Sequence, residues 1–291
     1  MQQLKNVMPT EILELSSKNE GETAEQRQER IAKQRCEMMN NTKGKLNEID
    51  GYDCPICNNR GGYYEAQLHR GYWYETFVYC KCRKVRDALA RLKKSGLKDV
   101  VHKYTFDSFI AKDSWQQKLK EAALKYCENG KEKWFFIGGQ TGAGKTHICT
   151  AAAIKLLKKG YNTKYMLWRD EAVKLKAAVN DTEVYSRLIA EIKDAEVLYI
   201  DDLFKTGKDK DGKAQQPTPA DINLAYEIIN YRYINKLPYT IISSECTLAQ
   251  LVEIDEATGG RIAEMAVQNG YGFSINPDVN KNHRLKNICE L

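Results

Sequence analysis

A chain of 291 residues has room for one or two domains, and its formal charge of +6, from 45 Lys+Arg against 39 Asp+Glu, permits a nucleic-acid partner without demanding one. No apolar run approaches the roughly 18 residues that cross a bilayer, and Met1-Gln2-Gln3-Leu4-Lys5-Asn6 opens no signal peptide, so a cytoplasmic location and no membrane partner are expected. Nine cysteines in that reducing setting point to metal binding or ordinary packing rather than to disulfides.

The first fifty or so residues are polar and charged. Thr10-Glu11-Ile12-Leu13-Glu14-Leu15 carries a cap and a helical start. Residues 22–39 contain no Gly or Pro and fit either a frayed tail or a solvated helix with a thin apolar edge of Ala24, Ile31 and Met38. A helix so poor in apolar residues buries little of itself, so it suits docking to a partner.

Asp53-Cys54-Pro55-Ile56-Cys57 and Cys80-Lys81-Cys82 flank residues 63–79, an alternating aromatic stretch of hairpin type. Two cysteine pairs brought together by a hairpin supply the four thiolates of a tetrahedral zinc site, Cys54, Cys57, Cys80 and Cys82. His69 is the substitute ligand within the hairpin, and an iron–sulfur cluster is the alternative group that thiolates suit. Four protein ligands leave no open position, which marks the site as structural. Cys36, Cys127, Cys149, Cys246 and Cys289 read as isolated thiols.

Residues 85–96 read as a short basic helix ending at Gly96. Tyr104-Thr105-Phe106-Asp107-Ser108-Phe109 is an aromatic cluster that either walls an adenine or packs as a linker. Residues 114–127 show helical periodicity, with Trp115, Leu119, Ala122, Ala123 and Tyr126 on one face.

Lys133-Trp134-Phe135-Phe136-Ile137-Gly138 is of strand type, and 147–157 is of helix type. Between them lies Gly139-Gln140-Thr141-Gly142-Ala143-Gly144-Lys145-Thr146, a G-x-x-x-x-G-K-T phosphate-binding loop, with His147 next. Its glycines let backbone N–H groups turn onto a polyphosphate, and the following helix N-terminus adds partial positive charge. Lys145 would reach the β- and γ-phosphates of ATP, and Thr146 would ligate Mg²⁺.

Residues 163–168 read as a strand, and 169–179 and 184–192 as helices. Val197-Leu198-Tyr199-Ile200-Asp201-Asp202-Leu203 then gives a buried parallel strand with two acids at its tip, 56 residues after Lys145. Asp201 would hold Mg²⁺, and Asp202 would orient and deprotonate the attacking water. Residues 205–219 form a polar loop, either plain surface or a contact to nucleic acid or a neighbouring subunit. Residues 220–236 read as a helix and Tyr239-Thr240-Ile241-Ile242-Ser243-Ser244 as a buried strand. A helix is expected to begin at Gly259, which puts Arg261 in its first turn. A cation there opposes the helix dipole and needs another reason, such as a phosphate outside the subunit. Tyr271-Gly272-Phe273-Ser274-Ile275 reads as a last strand before a basic tail holding Arg284.

The phosphate loop with His147, Tyr-Ile-Asp-Asp-Leu-Phe, Tyr-Thr-Ile-Ile-Ser-Ser-Glu, Gly-Gly-Arg-Ile and the terminal Arg-Leu-Lys resemble the AAA+ replicative-helicase loaders of the DnaC/DnaI type. The related IstB-like transposition ATPases lie close by. The resemblance runs from about residue 100 onward, and the cysteines at 54–82 resemble the zinc-binding N-terminal domain of the DnaI branch. It implies an α/β fold, a three-layer AAA+ P-loop ATPase with a parallel sheet, preceded by a helical segment and a small zinc module. The implied divisions are 1–52, a helical partner-binding segment, 53–84, the zinc module, 85–110, a linker, and 111–291, the ATPase. The implied function is an ATP-dependent loader that delivers a hexameric replicative helicase to single-stranded DNA and self-associates side by side on it. The alternative is an IstB-like ATPase that binds duplex DNA and a transposase.

By the same resemblance the γ-phosphate sensor is either Ser244 or, acting through a water, Glu245, which stands where the family places Asn. Arg261 is the arginine acting in trans, with Met265 where a second arginine is common, and Arg284 is the sensor in cis. These departures imply slow or partner-dependent hydrolysis.

Overall fold

The structure, a computed structural model, describes residues 22–92, 103–207, 210, 215–278 and 281–282. The expected helical start at residues 10–15 and the tail with Arg284 lie outside the described residues. The chain divides into two compact units, with the border between Arg83 and Lys84.

The first unit is a helix and a hairpin. Helix α1 (Ala24–Asn40) is set by a capping box. The Gln26 backbone N–H donates to Thr23 Oγ1 at 3.2 Å, and the Thr23 N–H donates to Gln26 Oε1 at 2.9 Å. Its buried edge is not the expected Ala24, Ile31 and Met38. Ala32 and Cys36 are buried, whereas Ala24 is exposed and Met38 is 73% exposed. Asn40 continues that stripe a turn later and fixes the helix rotation. Its Nδ2 donates to Tyr64 O at 2.8 Å and its Oδ1 accepts from Tyr64 N–H at 2.9 Å, so the small residues face the hairpin. After a short helix α2 (Leu46–Asp50), strands β1 (Gly62–His69) and β2 (Tyr72–Tyr79) pair antiparallel. Arg70 and Gly71 both have positive φ, 49° and 82°, the two-residue turn whose twist matches the strands. Helix α3 (Cys82–Leu92) follows at once.

The second unit is built on strands β3 (Lys133–Gly139), β4 (Thr163–Leu167), β5 (Val197–Leu203), β6 (Tyr239–Ser244) and β7 (Gly272–Ile275). All neighbours are parallel, in the order β4-β5-β6-β3-β7. Alternation along each strand sends one set of residues to each face. Trp134, Phe136, Leu198, Ile200 and Ile242 join one core. They are covered by α6 (Trp168–Ala178), α7 (Thr182–Lys193), α8 (Pro219–Ile234), α9 (Leu248–Ile254) and α10 (Glu256–Ile262). The opposite face is covered by α4 (Ser114–Asn129) and α5 (Lys145–Lys158), and Tyr126 of α4 packs its ring on Phe135, Tyr239 and Tyr271. The fold is thus the expected three-layer α/β arrangement around a parallel sheet.

Arg232, fully buried on α8, donates to Thr240 Oγ1, Lys193 O, Ala195 O and Tyr239 O at 2.6–2.9 Å and ties α7, α8 and β6 together. Helix α10 starts at Glu256, earlier than expected. Asp255 is its N-cap, accepting from Thr258 N–H at 2.9 Å. Arg261 therefore sits in the last turn, where a cation suits the dipole, and the expected conflict at a first turn is corrected. A π-helical turn, Ala263–Val267, follows.

Candidate nucleotide site and cysteine cluster

Strand β3 hands the chain to α5 through the glycine loop at residues 140–144. Gly142 and Gly144 hold φ of 77° and 83°, which L side chains rarely adopt. A Cβ on Gly142 would also lie 2.1 Å from the side-chain oxygen of Asn282, so the chain after β7 closes over the loop. Lys145 folds back across it, its Nζ donating to Gly139 O at 2.8 Å and Gln140 O at 2.9 Å. Burial holds its ammonium below the usual lysine range, against the pull of Asp202 and Glu245.

The P-loop strand and β5 are not neighbours, because β6 lies between them. Asp201 nevertheless meets the loop. Strand alternation points it toward α5, where Thr146 Oγ1 donates to its Oδ1 at 3.4 Å. Three more hydroxyls hold this buried carboxylate. Tyr199 donates to Oδ1 at 2.7 Å and Tyr165 to Oδ2 at 3.0 Å, while Ser243 also donates to Oδ1. Burial, then the charge of Asp201, pushes both phenols far up, so they remain donors. Thr146 and Asp201, hard oxygen donors on facing elements, fit a magnesium ion.

Asp202 breaks the alternation. Its φ is 59°, and the β5–β6 register shifts between Ile200 and Leu203. Its N–H donates to Ser243 Oγ at 3.0 Å, and its Oδ2 lies 2.8 Å from Lys205 Nζ. Lys205 also reaches Glu245 Oε1 at 3.0 Å. Glu245 borders a pocket of about 410 Å³ together with Gly139, Gln140 and Thr141. Ser244 is fully buried, and its hydroxyl donates to Leu203 O at 2.7 Å and accepts from Cys246 N–H at 3.0 Å. Ser243, which the sequence reading passed over, makes the contacts to both acids. The signal for it was strand parity: Ser243 shares a face with Ile241, which is registered beside Tyr199.

The aromatic stretch before α4 is packed and also borders the loop. His147 stacks on Tyr104 at 4.7 Å between centroids and meets the edge of Phe109 at 5.2 Å. Its Nε2 lies 2.9 Å from Thr105 O. Burial lowers the pKa of this ring, and nearby Lys120 and Lys103 act in the same direction. Phe109, Ile110 and Lys112 line a second pocket of about 340 Å³ with Gly142, Gly144 and His147. Arg261 packs against α8 and its own helix. Its guanidinium sits 5.1 and 5.4 Å from the ring centroids of Tyr226 and Tyr233 and donates to Ala257 O at 2.7 Å.

In the other unit Cys54, Cys57, Cys80 and Cys82 are all buried, with every sulfur within 4.8 Å of the rest. The Cys54–Cys80 and Cys57–Cys82 sulfurs are 3.7 and 3.6 Å apart. A tetrahedral zinc ion with Zn–S of about 2.3 Å spaces its sulfurs by about 3.8 Å, so the donor set and its spacing fit zinc. Burial pushes the Cys57 thiol up, but the backbone at Gly61 and the neighbouring thiols outweigh it and bring it to about 7. His69 is exposed near the hairpin turn and is not part of the cluster. Among the described residues no helix is long and apolar enough to cross a membrane.

Residues 78–254 match the family described as IstB-like ATP binding protein. The chain is 31% identical over 251 residues to the phage-like element PBSX protein XkdC of Bacillus subtilis (strain 168), covering 81% of this chain and 88% of that one. It is 32% identical over 227 residues to YqaM of the same strain, covering 73% and 68%. Among solved structures, the DnaC helicase loader superposes with a TM-score of 0.49 at 21% identity, over 62% of this chain and 99% of that one. A DNA replication initiation factor superposes at 0.48 with 22% identity, and the match spans about half of that protein's length (54%) and 65% of this chain.

Proposed function

The chain belongs to the IstB-like ATP-binding family, and from that premise we propose that it hydrolyses ATP to load a hexameric DNA helicase onto single-stranded DNA. The observation that carries the ATPase reading is the meeting of Thr146 and Asp201 from two separate elements, beside Lys145 on the glycine loop. Lys145 would exchange its loop carbonyls for the β- and γ-phosphate oxygens. Thr146 and Asp201 would hold Mg²⁺, which supplies charge neutralisation between those phosphates. Asp202 would take a proton from water as the water oxygen bonds to the γ-phosphorus. The bond from that phosphorus to the bridging oxygen breaks, and its electron pair leaves with ADP.

The loader reading rests on the cysteine cluster, in which we place one structural zinc ion, and on α1 with the hairpin as the surface for the helicase. Side-by-side assembly would put Arg261 at a neighbour's nucleotide and Arg284 at its own; unchanged helicase- or DNA-stimulated turnover in Arg261→Ala would remove Arg261 from that role. The family match keeps a second reading alongside it, the IstB-like ATPase of the sequence resemblance, which would bind duplex DNA and a transposase.

Size-exclusion of the chain with candidate hexameric helicases, with and without ATP, separates the two. The named relative comes from a phage-like element, so helicases encoded by such elements are tested first. A complex that Lys145→Ala weakens supports loading. No complex, together with ATP-dependent filaments on duplex DNA, supports the second reading.

A further inference from the structure

Lys205 is the feature that neither the phosphate loop nor the acids account for. It follows the break in β5 through a tight turn, with Phe204 at φ 59° and the Lys205 N–H donating to Asp202 O at 2.9 Å. That turn carries its side chain back over the strand tips, where Nζ bridges Asp202 on β5 and Glu245 just past β6. The Lys145 ammonium feels the charges of Asp202, Glu245 and Lys205. Glu245 also borders the pocket formed by the glycine loop. A carboxylate there repels a polyphosphate, and a cation that shares it removes the repulsion. A lysine ammonium on a flexible four-carbon stem can change partners without moving the backbone.

We infer that Lys205 reads the γ-phosphate: kept at the pocket by Glu245, it shifts from Asp202 to the γ-phosphate oxygens when ATP binds, leaving Asp202 free to accept the proton of water. With ADP there is no γ-phosphate to draw it away, and Lys205 remains on Asp202, so the pair separates the two nucleotides. The inference rests on the ATPase reading and adds to it the residue that distinguishes substrate from product.

The test measures binding of Mg·ADP and of a non-hydrolysable Mg·ATP analogue to the full chain by calorimetry. In Lys205→Met the affinity for the analogue falls about 10- to 100-fold, the loss of one charge-assisted contact, while ADP affinity stays within about twofold. Lys205→Arg, which keeps the charge, retains most of the preference. Equal losses for both nucleotides in Lys205→Met, or none, overturn the inference and leave the ATPase reading standing. Should Lys205→Met not fold, Lys205→Gln, which removes the charge but keeps a polar side chain, is read in its place, and equal losses for both nucleotides, or none, overturn the inference in the same way. A wild-type chain that binds neither nucleotide overturns the ATPase reading and the inference with it.

Discussion

Tyr199→Phe isolates one of the hydroxyls that hold Asp201, the acid proposed to bind magnesium. The ring is fully buried and packs edge-on against Tyr165 at 5.2 Å, and Phe keeps that volume and contact. What disappears is the 2.7 Å bond to Asp201 Oδ1. A hydrogen bond to a buried charged group contributes about 1.5–3 kcal/mol. Thr146, Tyr165 and Ser243 still reach the carboxylate, so about 2 kcal/mol is expected. In the ATPase unit, which is about 200 residues long, that lowers Tm by about 4–8 °C. Saturating Mg·ATP narrows the deficit, because a bound cation takes up the lone pair that Tyr199 has vacated. The assay is calorimetric melting of both proteins with and without Mg·ATP. A shift below about 1 °C without nucleotide would show that the hydroxyl does not hold Asp201. Equal deficits in both conditions would show that Asp201 does not hold the metal.

Cys57→Ser removes one thiolate from the cluster; bound zinc falls from one equivalent per chain toward zero by elemental analysis, and the hairpin loses protection from proteolysis while the ATPase unit still melts as in wild type. Burial depresses the pKa of His147 below 6.5, so the folded chain resists protonation that the unfolded chain accepts. Its contribution to stability is therefore complete above pH 6.5 and is lost as the pH falls from there toward the folded value; His147→Phe flattens the stability profile over that window, measured by urea unfolding. Arg232→Met strands the carbonyls of Lys193, Ala195 and Tyr239, and a loss of about 3 kcal/mol in unfolding free energy is expected by urea unfolding, with no recovery on adding nucleotide.

The glycine loop was legible because its chemistry is local: spacing and flanks suffice to name it. The limits of β5 and β6 were legible for a related reason, since strands buried on both faces show as unbroken apolar runs ending in polar tips. What lay hidden depends on which strands become neighbours. Tyr165 donates to Asp201 only because β4 pairs with β5 in a register that sets Tyr165 beside Tyr199. Ser243 and Ser244 look alike in the chain, and only the pleat of β6 decides which hydroxyl meets the acids. The start of α10 was different: Asp255, three residues before Thr258, is a local capping signal that the pair of glycines at 259–260 obscured. Lys205 was assigned to an undistinguished polar loop because its two partners are separated from each other along the chain and meet only at the strand tips.

The left-handed residue at Asp202 has an evolutionary consequence. In a regular strand, adjacent acids face opposite sides of the sheet, and both could not serve one nucleotide. The kink gives each its own surroundings, with Asp201 among hydroxyls and Asp202 beside a lysine. In the proposed mechanism, gripping the nucleotide and cutting it thus depend on different side chains. A single exchange of Asp202 for Asn would turn a timer into a latch, a chain that closes on ATP and stays closed. Descendants of such an ATPase can thus become permanent clamps without rebuilding the pocket.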